Sequence, residues 1–232
     1  MEIGPTTHYV MGGIRVDGDT QMSSVPGLFA CGECAAGLHG ANRLGGNSLS
    51  DLIVFGKRAG EFAAKFAKEN SKATIDQAQV DVASRRALAP FDRPGKEGPY
   101  QVQESLQETM QENVGIVRAQ REMERALQAI GVLKNRAAKV VVNGNREYNP
   151  GWHTALDLDN LLTVSEAITR CAMERRESRG GHFRDDYPDK DPAFGGFNIV
   201  LRRGPDGSMQ LTREPIAPMP AELQQIIEEQ KS

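Results

Sequence analysis

The first 70 residues carry two apolar patterns of different period. Gly27–Gly32 is a short apolar run closed by glycine, which is typical of a buried strand. From Ser48 onward, apolar side chains recur every three or four residues, which predicts a helix with one buried face. Asn47 or Ser48 is expected to cap this helix, and Asp51 to complement its dipole in the first turn. The apolar positions of the helix are Leu52, Phe55, Ala59, Phe62 and Phe66.

Prolines and glycines interrupt the pattern next. Residues 71–99 are therefore predicted to be a connector, and the stretch from Pro90 to Pro99 is expected to be cleaved first by proteases. Two amphipathic stripes follow between positions 100 and 139. Gly115 lies between these stripes and marks either a break between two helices or a kink in a single helix.

A third amphipathic helix is predicted from about Leu156 to Arg176. Its inward-facing side chains are expected to be Leu158, Leu161, Leu162, Ile168 and Cys171. Together, residues 100–180 predict an antiparallel three-helix bundle. The pattern over residues 1–70, with strand, loop and helix, indicates an α/β unit.

Residues 181–232 predict a loop-rich tail. Phe197–Arg202 and Met209–Arg213 flank a Gly-Pro-Asp-Gly sequence, which indicates a β-hairpin. Several prolines then lead to a short terminal helix.

Composition and charge narrow the functional classes. Hydrophobic residues make up 39% and charged residues 25%, which is ordinary for a soluble protein. The net charge of −3 argues against a nucleic-acid binder that works through bulk positive charge. No apolar stretch is long enough to cross a bilayer, and the N-terminus does not have the pattern of a secretory leader. A reduced, cytoplasmic setting is the expectation, because three cysteines do not make a disulfide framework.

The densest group of candidate functional residues is the run His39–Leu49. It contains three glycines, one arginine, one histidine and two asparagines, and it opens directly into the predicted helix. Glycines allow close backbone approach, and a fixed cation beside a helix N-terminus suits an anionic ligand. Arg43 could instead be a surface arginine that holds the loop through carbonyl contacts, and the residues alone leave the two interpretations about equal.

Other candidates are weaker when each is considered alone. His8 precedes a Gly-Gly turn and is more often structural than catalytic at such a place, and His39 could simply shape its loop. Glu33 ends the predicted strand, where carboxylates accept hydrogen bonds from ribose hydroxyls in nucleotide-binding folds. Cys31 and Cys34 have the Cys-x-x-Cys spacing of redox and zinc sites, but no second pair follows, so no metal site is expected.

Several segments together resemble the flavoprotein subunit of succinate dehydrogenases and fumarate reductases. Thr7–Ile14 resembles the family motif HYxMGG, Val25–Glu33 resembles VPGLFAxGE, and His39–Leu49 resembles HGANRLGGNSL. Asp51–Gly56 continues this match, and two later segments, Gly151–His153 and Glu177–His182, resemble the C-terminal region of the family. The resemblance covers nearly the whole chain and weakens after Pro192.

This resemblance implies a function and a set of site residues. The family interconverts succinate and fumarate by hydride transfer with FAD and passes electrons to an iron–sulfur subunit. By the same resemblance, Arg43 and His8 bind the dicarboxylate, and Glu33, Asn47, Ser48 and Leu49 contact the FAD. Residues 1–70 would be the C-terminal part of a Rossmann-like FAD-binding domain. The enzyme would lie at the cytoplasmic face of the inner membrane, held there only through anchor subunits.

Two parts of the family pattern have no counterpart in the sequence. No Gly-x-Gly occurs, so the N-terminal dinucleotide fingerprint is missing, and the proton-shuttling arginine of the family has no match. We therefore expect the chain to be the C-terminal part of a larger enzyme, to contain no catalytic residue itself and to be inactive without the N-terminal half of the flavoprotein. Two alternatives remain at this point, an L-aspartate oxidase type of flavoenzyme and a non-catalytic assembly module that docks a partner protein.

Overall fold

The computed structural model describes residues 8–70, 72 and 74–230. Thr7, the first residue of the segment that resembles HYxMGG, lies outside the described residues. The described elements are six α-helices, four short strands and two 3₁₀ turns.

The strand predicted at Gly27–Gly32 does not form. Phe29 makes an isolated antiparallel bridge to Met22, and a 3₁₀ turn begins at Gly32. The backbone donors of the run are satisfied locally, since Ala30 N–H donates to Gln21 O at 3.0 Å. An apolar run becomes a strand only where neighbouring strands supply a ladder, and the described residues supply single bridges here.

Helix α1 spans Asn47–Glu69, and its start differs from the prediction. Its N-cap is Gly46, with φ +84°, and no side chain caps it. Asn47 and Ser48 lie inside the helix, so neither can act as the cap. Asp51 lies beyond the first turn and is buried, and its carboxylate faces His39 rather than the helix end.

The predicted connector contains a second helix. Helix α2 spans Gln77–Asp92, and the Asp76 side chain caps it by accepting from Ala78 N–H at 2.9 Å. Pro90 lies inside the last turn of α2, where the missing N–H removes a single helical bond. The carbonyl of Pro90 accepts from Val142 N–H at 2.9 Å, which ties α2 to the segment after the fourth helix.

Three helices that follow one another along the chain form the core of the molecule. Helix α3 spans Pro99–Asn113, α4 spans Gln120–Ala137 and α5 spans Pro150–Glu174. Gly115 therefore lies in a break between two helices, and strand β1, Val117–Arg118, occupies part of that break. The largest apolar cluster takes side chains from all three helices and from Val140, which follows α4. It consists of Val102, Leu106, Ile130, Leu133, Ala137, Val140, Leu158 and Leu162.

Helix α5 begins six residues before the predicted start. Asn149 is its N-cap, with Oδ1 accepting from Trp152 N–H at 3.0 Å, and Pro150 is its first residue. An Asn-Pro pair is a recognised helix start, so this signal was present in the sequence. The prediction that Leu161 faces inward was wrong, because Leu161 is 37% exposed while Leu158 and Leu162 are buried.

The tail folds back along the helices. Strand β2, Phe183–Arg184, pairs in parallel with β1, and a 3₁₀ turn spans Pro192–Gly196. Strands β3, Phe197–Arg203, and β4, Met209–Pro215, pair antiparallel with Leu201 opposite Leu211. Helix α6, Ala221–Glu229, follows. Within the described part of the chain, no helix combines the length and apolarity needed to cross a membrane.

Candidate functional site

Arg43 lies in the loop that leads into α1, and His8 lies against it. The Nη2 atom of Arg43 is 3.3 Å from His8 Nε2, and Nη1 donates to Leu44 O at 3.2 Å. The Nε atom of Arg43 is buried and has no hydrogen-bond partner among the described residues. A buried charged donor without a partner is unfavourable, so this nitrogen is suited to an incoming acceptor oxygen.

One face of the Arg43 guanidinium lies against the ring of Tyr9. The Cζ atom of Arg43 lies 4.4 Å from the centre of the Tyr9 ring, within the range of a cation–π contact. The Tyr9 hydroxyl is 3.2 Å from His39 Nε2, and the same nitrogen is 3.3 Å from Asp51 Oδ2. The side chains of His39 and Asp51 are almost fully buried. A chain of contacts therefore runs from α1 through the loop to Arg43.

The start of α1 and the 3₁₀ turn at Gly32–Cys34 carry backbone and side-chain groups that are open to a ligand. Gly46 leaves the first amides of α1 without a side-chain cap, and a methyl group added at Gly45 or Gly46 would meet no described atom within 4 Å. The amides of Ser48 and Leu49 can therefore be approached closely by a ligand with negative charge. This open helix start is suited to a group that carries negative charge.

Glu33 supplies the polar side chain expected for a nucleotide. It is exposed, and its Oε1 accepts from Val10 N–H at 2.9 Å. This bond ties the segment that carries His8 to the 3₁₀ turn. Its Oε2 atom accepts no bond from the described residues, so it is suited to a ribose hydroxyl.

The tail contacts the arginine loop through a turn. Gly181 N–H donates to Ala41 O at 2.9 Å, two residues before Arg43. Gly180 has φ +60°, and a Cβ atom added there would lie 2.2 Å from Ala41 O. Only glycine fits this approach, so the tail fixes the backbone that precedes the arginine.

A buried carboxylate organises the segment next to this turn. The Glu177 side chain is fully buried and accepts from Arg175 Nη1 at 2.7 Å and from Arg179 Nε at 2.8 Å. Burial alone would raise its pKa, but the bonds from Arg179, the Asp191 amide and Arg175 outweigh burial and lower the pKa to about 2. Glu177 therefore remains ionised and holds the two arginines on either side of it.

His182 is held in its neutral form in the same segment. Its Nδ1 lies 3.0 Å from Arg118 Nη1, and its Nε2 lies 3.1 Å from Arg175 O. A guanidinium only donates, so Nδ1 accepts and Nε2–H donates to the carbonyl. Burial and the neighbouring Arg118 charge lower the pKa of His182 to about 4.

The two cysteines of the Cys-x-x-Cys spacing lie beside the site without the properties of a redox pair. Both are free thiols, and Cys34 Sγ donates to Cys31 O at 3.1 Å. Burial raises the pKa of the Cys31 thiol, which disfavours the reactive thiolate.

The structure brings some predicted site residues together and adds others. His8 and Arg43 are in contact, and Glu33, Asn47, Ser48 and Leu49 lie on the adjacent turn and helix start. Sequence reasoning missed Tyr9, which follows His8 directly and gave no separate signal. The sequence pattern predicted that Asp51 complements the dipole of α1, whereas its carboxylate faces His39. It also gave no sign that Gly180 and Gly181 contact the loop that carries Arg43.

The open helix start, the arginine–histidine pair and the exposed carboxylate form a group of polar sites suited to anionic and hydroxyl-bearing ligands, in an N-terminal part that is joined to a helical domain. Residues 1–49 match the model of a FAD binding domain, and residues 103–227 match the model described as fumarate reductase flavoprotein C-term. The chain belongs to this fumarate reductase flavoprotein family, a family of FAD-dependent oxidoreductases.

Individual proteins give the same result. The chain is 39% identical over 195 residues to the fumarate reductase flavoprotein subunit of Haemophilus influenzae, covering 82% of this chain and 32% of that protein. It is 37% identical to the succinate dehydrogenase flavoprotein subunit of Coxiella burnetii, covering 82% and 34%. The structure of Mycobacterium smegmatis Sdh1 in complex with UQ1 superposes with a TM-score of 0.92 at 46% identity, covering 98% of this chain and 39% of that chain. The chain thus spans about a third of the length of these curated relatives.

Proposed function

We propose that this chain forms the dicarboxylate-binding side of a FAD-dependent flavoprotein that interconverts succinate and fumarate. The observation that supports the proposal is the pairing of Arg43 with His8 at 3.3 Å, with the buried Arg43 Nε lacking a partner among the described residues. A planar guanidinium matches the two oxygens of a carboxylate, and a neighbouring imidazole adds a further donor. Relatives named as fumarate reductase and succinate dehydrogenase flavoprotein subunits favour the four-carbon dicarboxylates.

Each residue of the site has a defined part in this proposal. Bound FAD supplies the hydride acceptor or donor. Arg43 and His8 hold a substrate carboxylate in a fixed orientation, which lowers the entropic cost of reaching the reactive geometry. The amides of Ser48 and Leu49, at the start of α1, stabilise negative charge at the pyrimidine edge of the flavin. Glu33 accepts a hydrogen bond from a ribose hydroxyl.

The proposal extends to partners. Electrons would leave to an iron–sulfur subunit, and anchor subunits would hold the complex at the cytoplasmic face of the membrane. The support is the family membership together with relatives that are named as subunits or solved as a complex. No proton-transfer role is assigned to the residues of this chain, whose task is to bind and orient the substrate.

The test is Arg43→Lys in the FAD-loaded enzyme that contains this chain. Lysine keeps the charge but loses the two-pronged donor, so we expect succinate turnover to fall by at least about tenfold while the amount of bound flavin stays unchanged. The matched control is Arg86→Lys, because Arg86 is an exposed arginine paired with Asp159 on the outer surface. Turnover and substrate affinity within about twofold of wild type would show that Arg43 does not hold the substrate.

A further inference from the structure

The arginine loop is connected to a buried set of polar side chains that substrate binding does not itself require. We propose that Tyr9, His39 and Asp51 form a positioning chain that fixes the orientation of the Arg43 guanidinium before a dicarboxylate binds. The inference rests on the proposed function, because it concerns how precisely Arg43 is held. None of the three residues is proposed to touch the substrate.

The first step of the chain is the contact between Tyr9 and Arg43. The guanidinium carbon lies 4.4 Å from the centre of the Tyr9 ring, so one face of the cation is covered by an aromatic surface. An aromatic ring at this distance limits how far the guanidinium can swing away from its place. The donors of Arg43 are also held at two points, by Leu44 O and by His8 Nε2. The buried Nε has no partner among the described residues, and each Nη retains one further N–H, so the fixed guanidinium still has donors for a ligand.

The second step fixes Tyr9 itself. Its hydroxyl is 3.2 Å from His39 Nε2, and the two rings meet edge to face with centroids 5.6 Å apart. His39 Nε2 also lies 3.3 Å from the Asp51 carboxylate. A bare ring nitrogen would face that carboxylate with a lone pair, so Nε2 carries the hydrogen and the Tyr9 oxygen accepts it. The His39 ring that holds Tyr9 is therefore itself oriented by the charge of Asp51.

The third step is the burial that makes the chain rigid. The side chains of His39 and Asp51 are 8% and 4% exposed, and Asp51 belongs to α1, the longest helix of the N-terminal part. A buried carboxylate is unfavourable without a partner, and His39 is the partner that the described residues provide. The loop from His39 to Gly46 leads into α1. Its first residue, His39, is held against Asp51 of that same helix, so both ends of the loop are fixed to α1.

A purely packing role for Tyr9 makes a different prediction from a positioning role. If the ring merely filled space, Tyr9→Phe would leave binding unchanged, because the ring remains. If the hydroxyl anchors the ring, Tyr9→Phe and Asp51→Asn weaken dicarboxylate binding in part, and Tyr9→Leu weakens it more. These changes act through Arg43, so they have no further effect once Arg43 is replaced by alanine.

The experiment measures malonate binding by calorimetry to the FAD-loaded enzyme that contains this chain. Malonate has two carboxylates but no pair of carbons to dehydrogenate, so binding is separated from turnover. We expect the malonate Kd to rise about threefold for Tyr9→Phe and for Asp51→Asn, and about tenfold for Tyr9→Leu, with unchanged flavin content. Tyr148→Phe, at a tyrosine that is 99% exposed, is the matched control and should leave the Kd unchanged.

A double-mutant cycle decides the mechanism. Adding Tyr9→Leu to Arg43→Ala should change the malonate Kd by less than about twofold. The positioning chain is overturned if the losses of malonate affinity from Tyr9→Leu and Arg43→Ala add in the double variant. It is also overturned if Tyr9→Phe and Asp51→Asn both leave the Kd within about twofold of wild type. Either result leaves Arg43 as the substrate residue. An unchanged Kd for Arg43→Ala would overturn the proposed function itself and the positioning chain with it.

Discussion

Two paired strands place an arginine at the ends of two helices, Arg118 of β1 at the end of α3 and Arg184 of β2 at the end of α5. Arg184 is fully buried and donates from Nη1 to Ala172 O at 2.9 Å, at the C-terminus of α5. Arg118 donates from Nε to Val114 O and Gly115 O, just after α3. Both cations satisfy carbonyls that a helix end leaves without partners and interact favourably with the helix dipole. His182 is buried and lies close to both arginines, and both effects lower its pKa and hold it neutral.

This arrangement predicts a loss of stability in mild acid. The pKa of His182 in the folded chain is about 4, below the ordinary 6.5, so the unfolded chain binds a proton first as the pH falls. Between pH 6.5 and pH 4 the free energy of unfolding should therefore decrease by up to about 1.4 kcal/mol per pH unit. Chemical denaturation at several pH values, followed by fluorescence of the single tryptophan, Trp152 in α5, measures this slope.

The matched variants identify the titrating group. His182→Gln retains an acceptor and a donor without titrating in this range, so the slope between pH 6.5 and 4 should become shallower. His153→Gln, at an exposed histidine of α5, should leave the slope as in wild type. Equal slopes in all three proteins would show that His182 does not carry the effect. Below pH 4.5 Glu177, with its pKa lowered to about 2, adds a further loss of stability in every variant.

At the residue scale, the sequence pointed to candidate binding side chains but not to the residues that contact them. Arg43, His8 and Glu33 could be named because their motifs are specific and because each type of side chain suits its ligand. Tyr9 and Asp51 could not, since their roles depend on which side chains the fold brings close to them. The long-range contact of Gly181 with Ala41 spans 140 residues of chain, and no local pattern encodes it.

At the scale of elements, helix existence was more predictable than helix boundaries. The apolar stripes of α1, α3, α4 and α5 are visible in the sequence because each helix buries one face. The start of α1 was misplaced because a glycine with φ +84° acts as the N-cap where a polar side chain was expected. Helix α2 was missed because Pro90 was interpreted as a helix breaker, although the helix precedes Pro90 and ends two residues after it.

The turn that carries Gly180 links the helical domain to the arginine loop, and this gives an element-level prediction. Gly180→Ala should lower the stability of the tail contact by about 1–3 kcal/mol, because the new Cβ would lie 2.2 Å from Ala41 O in a left-handed conformation. In the FAD-loaded enzyme, the malonate affinity should fall as well, since Ala41 lies two residues before Arg43. Calorimetry and thermal unfolding of the same preparations measure the two effects.

The control for this substitution is Gly196→Ala, in the 3₁₀ turn that precedes β3. A Cβ atom there meets no described atom within 4 Å, so stability and malonate affinity should remain close to wild type. If Gly180→Ala changes stability but leaves malonate affinity unchanged, the turn supports the tail without positioning the arginine loop.

At the scale of the whole molecule, the two ends of the chain differ in how much apolar surface they bury. Within the described part of the chain, Ala30 and Ala59 are the buried hydrophobic residues that precede residue 100, and the remaining hydrophobic core lies between Val102 and Phe194. In contrast, Leu44, Leu49 and Ile53, around the start of α1, are 69% to 73% exposed. Burial of apolar area is the main favourable term in folding, so the helical part contributes most of the stability.

The contacts that the described residues show between residues 8–70 and the part of the chain from α2 onward are mostly polar. Besides Gly181 with Ala41, Arg15 Nη1 lies 2.7 Å from Glu214 Oε2 of β4. A partly exposed ion pair and a single backbone bond stabilise a domain contact only weakly. The N-terminal part should therefore open locally without unfolding the helices.

The uneven burial of apolar surface predicts the course of limited proteolysis. The contacts of the Pro90–Pro99 stretch move the expected first cleavage away from that stretch. The stretch from Pro90 to Pro99 is held in place, since Glu97 O accepts from Val141 N–H at 2.9 Å and Glu97 Oε1 accepts from Arg136 at 2.6 Å. The described residues between α1 and α2 are exposed, and Ile75 reaches 79%. Trypsin should therefore cleave first near Lys68 or Lys72 and leave a stable helical fragment that begins before α2.

Three measurements distinguish the possible outcomes. Mass spectrometry gives the cleavage site, circular dichroism gives the helix content of the surviving fragment, and Trp152 fluorescence reports whether α5 remains packed against α2, where its indole N–H donates to Ala87 O at 2.7 Å. Replacing Lys68 and Lys72 by glutamine should slow the first cleavage, while thermolysin should still cleave near Ile75. First cleavage between residues 90 and 99 would show that this stretch is more accessible than the segment before α2, contrary to the expected order. Loss of both parts at the same rate would show that the chain unfolds as one cooperative unit in spite of its uneven core.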